Sequence, residues 1–155
     1  MYGLLNAENH AITPIEYDEI NLSYSWWYRS DEIFEVKKSG QIGSIDLNGN
    51  IILPIEFSAI SFDGPTNSRV CKDSVYYFAH GSDVNYDMPY EGISRVGNAF
   101  IIKKNGKYGV ANYNGNVIID PVYDKLEFSY SGIIAEKNGK KVTFDKYGKL
   151  ITDFH

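Results

Sequence analysis

One segment of this chain returns along its whole length, and that periodicity limits the possible folds more than any other feature. Residues 99–126 read AFIIKKNGKYGVANYNGNVIIDPVYDKL. They parse into an apolar strand, an Asn105-Gly106 turn, a second strand, an Asn114-Gly115 turn, and a third strand ended by Pro121. Asn-Gly between alternating runs is the strongest short-range hairpin signal, because both central positions of a type I′ turn need positive φ. The same unit stands at residues 33–60, with Ser39-Gly40 and Asn48-Gly49 at the turns. It stands again at residues 133–152, with Asn138-Gly139 and Tyr147-Gly148. The amino terminus enters the unit part-way, since residues 2–20 match Ile42 to Ile60 without a gap. A degenerate copy at residues 72–93 aligns with the segment from Lys104 to Lys125. The anchor positions are Gly3, Gly43, Tyr77, Gly109 and Val142, and their interval is nearly constant after a wider first step.

A unit of this size is a small meander that cannot bury its apolar face alone, so neighbouring copies must stack to make a core. The composition agrees with strands. Ile, Val and Tyr far outnumber Ala, Leu and Gln, and branched and aromatic side chains suit a pleated surface. The expected fold is all-β: tandem antiparallel hairpin or meander repeats of about 33 residues, stacked as a short solenoid-like arc, with propeller-like closure as the alternative. The 155 residues are expected to form a single repeat domain with units near 1–32, 33–67, 68–98, 99–131 and 132–155.

The residues that carry the repeat resemble the WG-repeat family, also called KWG repeats. Its pattern is Lys-Trp-Gly, a short strand, a Gly turn, a Val/Ile strand, Pro, then Tyr-Asp. Lys107-Tyr108-Gly109-Val110, Asn114-Gly115, Val117-Ile118-Ile119, Pro121 and Tyr123-Asp124 follow it closely. The signature tryptophan is replaced in every copy, at Tyr2, Ile42, Tyr76, Tyr108 and Lys141, and the glycine is replaced at Tyr77 and Val142. The resemblance covers nearly the whole chain and marks a divergent member. It implies protein or ligand binding rather than catalysis.

Charge narrows the partner. The chain holds 15 basic and 20 acidic residues, a net of −5, so it lacks the cationic excess of a nucleic-acid binder. The imbalance is local: residues 1–78 hold 11 acids and 5 bases, and residues 79–155 hold 9 and 10. An acidic half of this kind speeds encounter with a basic protein. Cys71 is the only cysteine, so no intramolecular disulfide forms. The first twenty residues have four acids, no Lys or Arg and no apolar run, and so do not read as a secretory signal. Apolar runs such as Ala99 to Ile102 are too short to span a bilayer. The expectation is a cytoplasmic protein without membrane association.

No catalytic constellation stands out. There is no Gly-x-Ser-x-Gly elbow and no phosphate-binding glycine loop. His10 and His80 fall in turn registers and His155 is terminal, which gives no zinc set. Cys71 beside Val70 reads as a small buried hydrophobe. Asp46-Leu47-Asn48-Gly49-Asn50 looks like the start of a calcium loop, but an EF-hand would continue with Gly and a later Glu where Ile51 and Phe57 stand. A hairpin turn explains it, since Asn112 to Asn116 repeats it at the same place. No enzyme, cofactor or metal is expected.

The departures from the repeat are the binding candidates. Tyr24, Trp26, Trp27, Tyr28, Arg29, Asp31 and Glu32 lie in an insertion in the first copy, and Trp, Tyr and Arg dominate interface hot spots. In the degenerate copy Asp83, Tyr86, Asp87, Tyr90 and Glu91 replace an aliphatic strand. The expected function is a non-catalytic protein-binding module, in its sharper form an acidic immunity-type inhibitor that neutralises a basic bacterial toxin domain. The runner-up is a structural or cell-surface repeat that binds glycan or another small ligand through exposed tyrosines.

Overall fold

Four two-residue turns set the strand pattern. Ser39-Gly40, Asp73-Ser74, Asn105-Gly106 and Asn138-Gly139 all have positive φ at both positions, between 51° and 80°, as a type I′ turn demands. In the computed structural model, which describes residues 1–22 and 33–152, each turn joins the two central strands of a four-stranded antiparallel meander. The first sheet is β1 (Glu19–Leu22), β2 (Ile33–Lys38), β3 (Gln41–Asp46) and β4 (Ile51–Phe57). The second is β5 (Ala59–Phe62), β6 (Asn67–Lys72), β7 (Val75–His80) and β8 (Asp83–Val84). The third is β9 (Gly92–Val96), β10 (Ala99–Lys104), β11 (Lys107–Asn112) and β12 (Val117–Tyr123). The fourth is β13 (Lys125–Ser129), β14 (Gly132–Lys137), β15 (Lys140–Phe144) and β16 (Leu150–Thr152). No helix occurs among the described residues.

Read from sequence, a copy has three strands; the structure gives each sheet four. The extra strands, β1, β5, β9 and β13, are short segments directly before the apolar β2, β6, β10 and β14, and each pairs with its successor. Nor does proline end a strand. β4 and β12 run on through Pro54 and Pro121, because both are edge strands and both prolines sit where the register shifts. A proline there forfeits no ladder hydrogen bond.

The pairing registers prove the alignment of the copies. Ile42 pairs with Phe57, Ser44 with Leu53 and Ile45 with Ile51; at the equivalent positions of the third sheet Tyr108 pairs with Tyr123, Val110 with Ile119 and Ala111 with Val117. The amino-terminal segment makes the bridges Tyr2–Tyr17 and Leu5–Ala11, which are the Ile42–Phe57 and Ile45–Ile51 pairs one copy earlier. It therefore forms the third and fourth strand positions of a copy.

The motif glycine has a steric reason. A Cβ on Gly43 would lie 2.7 Å from the Leu53 carbonyl oxygen and 2.9 Å from Ile55 Cα. On Gly109 it would lie 2.6 Å from the Pro121 nitrogen and 2.8 Å from the Asp120 carbonyl carbon. At this bulge the fourth strand crosses directly over the third, so no side chain fits between them. The copy with Tyr77 instead has a short fourth strand, β8, paired only with residues 79–80, and where no strand crosses, glycine is not required.

The chain divides into two compact units, residues 1–88 and 89–155. In unit 1 the first sheet is covered on both faces. Val36, Ile45 and Ile55 pack with Leu4 and Tyr17 of the amino-terminal segment, while Leu53 and Phe57 pack with Val70, Ala79 and Tyr77 of the second sheet. The alternation of Leu53 and Phe57 against Ile55 along β4 is the period-two pattern of a strand buried on both sides. In unit 2, Val110, Ile119 and Tyr123 of the third sheet meet Ile133, Leu126 and Phe144 of the fourth. Cys71 is buried on β6 as a small hydrophobe.

Candidate functional site

A meander has two ends, and in this chain they differ in kind. At one end lie the two-residue turns and the connections from sheet to sheet. Inside each unit that connection is a single residue, Ser58 between β4 and β5 and Asp124 between β12 and β13. The acid of the Tyr-Asp motif works there. Asp18 Oδ2 accepts the Ser39 N–H at 2.7 Å, Asp124 Oδ2 accepts the Asn138 N–H at 2.9 Å, and the Glu91 carboxylate accepts the Gly106 N–H at 3.2 Å. Each acid holds the positive-φ turn beside its own sheet connection. The ammonium of Lys107, donating to Asp124 Oδ1, and the Asn138 N–H hold the Asp124 carboxyl below the usual carboxylate range.

The other end carries the loops from first to second strand and from third to fourth. The turns Asn6–His10, Asp46–Asn50, Asn112–Asn116 and Asp145–Lys149 share one construction there. The side-chain oxygen of the first residue accepts the N–H groups two and four positions on, as Asp46 Oδ1 does from Asn48 at 2.8 Å and Asn50 at 2.9 Å. The side chain that resembles a calcium ligand is thus engaged with its own turn, and the Asn50 side-chain amide, donating to Oδ2 at 3.0 Å, together with the Asn50 N–H holds the Asp46 carboxyl below its ordinary range. The loop from first to second strand varies most. It is shortest in the third and fourth sheets (97–98 and 130–131) and longer in the second (63–66). The loop of the second sheet is fixed by Arg69, whose Nε donates to Asp63 Oδ2 at 2.8 Å and whose second guanidinium nitrogen donates to Oδ1 at 3.0 Å.

At this variable end of unit 2 the third and fourth sheets part to leave a groove of about 610 Å³. Its floor is apolar, built from Ile118, Phe128 and Ile133. Tyr113 and Tyr147 line it from two turns in successive copies. A cation lies over each ring: Arg95 Cζ is 5.8 Å from the centroid of Tyr113, and Lys146 Nζ is 5.0 Å from that of Tyr147. Alongside, the sheets close up where Gly148 abuts the Ile118 carbonyl, an approach that excludes a Cβ. The same contact joins Gly49 to the Ile12 carbonyl in unit 1.

The residues singled out from sequence are placed as follows. Tyr24, Trp26, Trp27, Tyr28, Arg29, Asp31 and Glu32 lie outside the described residues. Asp83 is exposed on β8, opposite His80, and Asp87 is exposed in the segment beyond. Tyr86 is 46% exposed, with its ring edge-on to Tyr77 at 5.1 Å and its hydroxyl donating to Glu56 Oε1 at 2.6 Å. Lys72 Nζ stands 3.2 Å from the same carboxylate oxygen. The bond from Tyr86 holds the Glu56 carboxyl below its ordinary range, while desolvation and then the carboxylate push the phenol up to about 12. Tyr90 is 2% exposed and presents no surface, and Glu91 is engaged with its turn. The groove residues were not legible as a site. Tyr113 and Tyr147 stand one repeat apart, and each copy alone shows one aromatic residue in a turn. Among the described residues no group of three or more His, Cys, Asp or Glu side chains is placed to hold a metal ion.

The model of the WG containing repeat matches residues 42–76 and 108–141. No curated protein matches the chain. The two matched segments, Ile42 to Tyr76 and Tyr108 to Lys141, begin and end at the positions aligned with the signature tryptophan. Each therefore takes two strands from one sheet, the single-residue connection, and two strands from the next. The repeat spans the stacking contact rather than a single sheet, and its glycine, proline and terminal Asp or Ser sit where that contact is made. Over these two segments the chain carries the WG containing repeat, in line with the resemblance read from Lys107 to Asp124.

Proposed function

We propose that the chain is a non-catalytic module that binds a basic protein partner, and in its sharper form that it inhibits a toxin domain by covering it. The observation that carries this reading is the segregation of charge between the compact units. Residues 1–88 hold 13 acids and 5 bases, a net of −8, whereas residues 89–155 hold 7 acids and 10 bases, a net of +3. A concentrated field of one sign steers association with a partner of the other and contributes nothing to the fold. Glu35, half-buried on β2, fits the same picture, since burial and the neighbouring Glu19 push its carboxyl up. The motif residues are occupied in holding copies together, which leaves function to the parts that differ between copies. Those parts are residues 23–32, with both tryptophans, and the segment around Tyr86.

The test is capture of partners from the native host's lysate on wild type and on the Trp26→Ala/Trp27→Ala variant, followed by binding kinetics on the recovered protein. The expected partner is basic. The double substitution is expected to weaken binding by at least ~2 kcal/mol, about thirty-fold, and added salt to slow association. Unchanged affinity in a folded double variant would remove the aromatic anchor from the reading. A neutral or acidic partner with salt-independent association would remove its electrostatic basis.

A further inference from the structure

Unit 2 offers chemistry opposite to that of unit 1. Its groove of about 610 Å³ is in the range of sites that take a drug-sized body or a short piece of peptide. The floor of Ile118, Phe128 and Ile133 is an extension of the core between the two sheets, half-exposed here at Ile118 and Phe128. A bulky apolar side chain inserted there would continue the contact that Val110, Ile119 and Phe144 make deeper in the same interface. The lining also holds two tyrosines and one cation, Lys146, with Arg95 beside it over a tyrosine ring. Tyr113 carries the guanidinium of Arg95, and Tyr147 carries the ammonium of Lys146. Among the described residues no Asp or Glu lines the groove. The nearest acid in sequence to Lys146 and Tyr147, Asp145, accepts the Tyr147 N–H at 2.9 Å and the Lys149 N–H at 2.8 Å through Oδ1. Asn98 and Asn114, also on the lining, bring amide donors and acceptors suited to a peptide backbone.

We propose that this groove is a docking site for an acidic peptide segment of a protein partner, which inserts one aromatic or large aliphatic side chain between the third and fourth sheets and sets its carboxylates against Arg95 and Lys146. Charge complementarity selects the occupant, because Lys146 lines the groove, Arg95 stands over the lining Tyr113, and the whole unit carries +3. The apolar floor requires the anchoring side chain, and a purely electrostatic contact would leave it uncovered. This site is independent of the proposed acidic surface of unit 1: the charge is opposite and the residues are different.

The experiment pans a random dodecapeptide display library on the full chain and measures an enriched peptide by fluorescence anisotropy. The proteins are wild type, Tyr147→Ala and Lys146→Glu. Tyr147 is 73% exposed, so its truncation is expected to leave the urea midpoint unchanged, which is checked directly. Enriched sequences are expected to combine acids with an aromatic or large aliphatic residue. Tyr147→Ala is expected to weaken binding about ten-fold or more, and Lys146→Glu about ten-fold at low salt and less at high salt. Replacing the peptide's anchor by alanine is expected to abolish measurable binding. Failure to enrich, enrichment of basic or uncharged peptides, or equal affinity for the folded variants would overturn the proposal. None of these results bears on the Trp26→Ala/Trp27→Ala experiment, so the two readings fail separately.

Discussion

The sharpest test of the structural account is a single methyl group added at Gly43. The residue does not have positive φ, so alanine is conformationally permitted and the substitution isolates the steric effect. The new Cβ would lie 2.7 Å from the Leu53 carbonyl oxygen, 2.8 Å from Ile55 Cγ1 and 2.9 Å from Ile55 Cα. Those distances fall about 0.6 Å or more inside normal separation. Two of the three atoms are backbone, so β4 must move. Leu53 and Phe57 are fully buried, and the Leu53 N–H donates to Ser44 Oγ at 3.2 Å. Overpacking of this kind costs about 1–3 kcal/mol, and a disturbed buried hydrogen bond adds about 1 kcal/mol. Against this stands the gain of about 0.4–1 kcal/mol from stiffening the unfolded chain. The net expectation for Gly43→Ala is a loss of about 2–3 kcal/mol, seen as a fall of about 1–2 M in urea midpoint. Circular dichroism measures the loss, and hydrogen exchange in β2 to β4 assigns it to unit 1. Gly92→Ala is the control: its nearest contact is Lys103 Cβ at 3.9 Å, so neutrality or a gain of up to about 1 kcal/mol is expected. A Gly43→Ala protein within about 0.5 kcal/mol of wild type would refute the crossing-strand explanation of the motif glycine.

Other consequences are equally direct. Phe57→Ala empties the contact between the first and second sheets and is expected to cost about 3–5 kcal/mol by urea unfolding. Tyr86→Phe removes the hydrogen bond to Glu56, so the Glu56 carboxyl, held low in the wild type, is expected to titrate higher in carbon-detected NMR. Conversely, Glu56→Gln is expected to lower the Tyr86 phenol from about 12 in an ultraviolet titration. Asp124→Ala frees the Asn138 N–H, and faster exchange of that amide is expected at neutral pH. Because the folded-state pKa of Asp124 is depressed, its contribution is present above the unfolded pKa and lost as pH falls through the folded one. Wild type and variant are therefore expected to converge in acid.

The repeat was legible because it is written in turns. Asn-Gly and Ser-Gly pairs fix strand ends, and the gapless match of residues 2–20 to 42–60 carried the Tyr2–Tyr17 bridge with it. The first strand of each sheet was less visible. Segments such as Lys125–Ser129 and Ala59–Phe62 are short and half-exposed, and alternate too briefly to stand out from a connection. Pro121 misled for a related reason, since a sequence does not reveal which strand is an edge. The acidic tyrosine segment of the degenerate copy was recognisable as a departure. Burial of Tyr90 and engagement of Glu91 with Gly106 depend on neighbours that the local sequence does not name. The groove in unit 2 is the extreme case, because it exists only when two copies stack.

The single-residue connections at Ser58 and Asp124 act as a reading frame for the fold. Adding a residue at either would turn every side chain of the following strand to the opposite face and point its core into water. Such a chain can change length in only two ways without losing register. It can gain or lose whole copies, cut at the same phase, or it can lengthen the loop from first to second strand, whose length already differs between sheets. A tag or a new recognition loop placed between β13 and β14, where Tyr130 is fully exposed, is therefore compatible with the frame. A single residue inserted after Phe57 or Tyr123 is a frameshift in three dimensions.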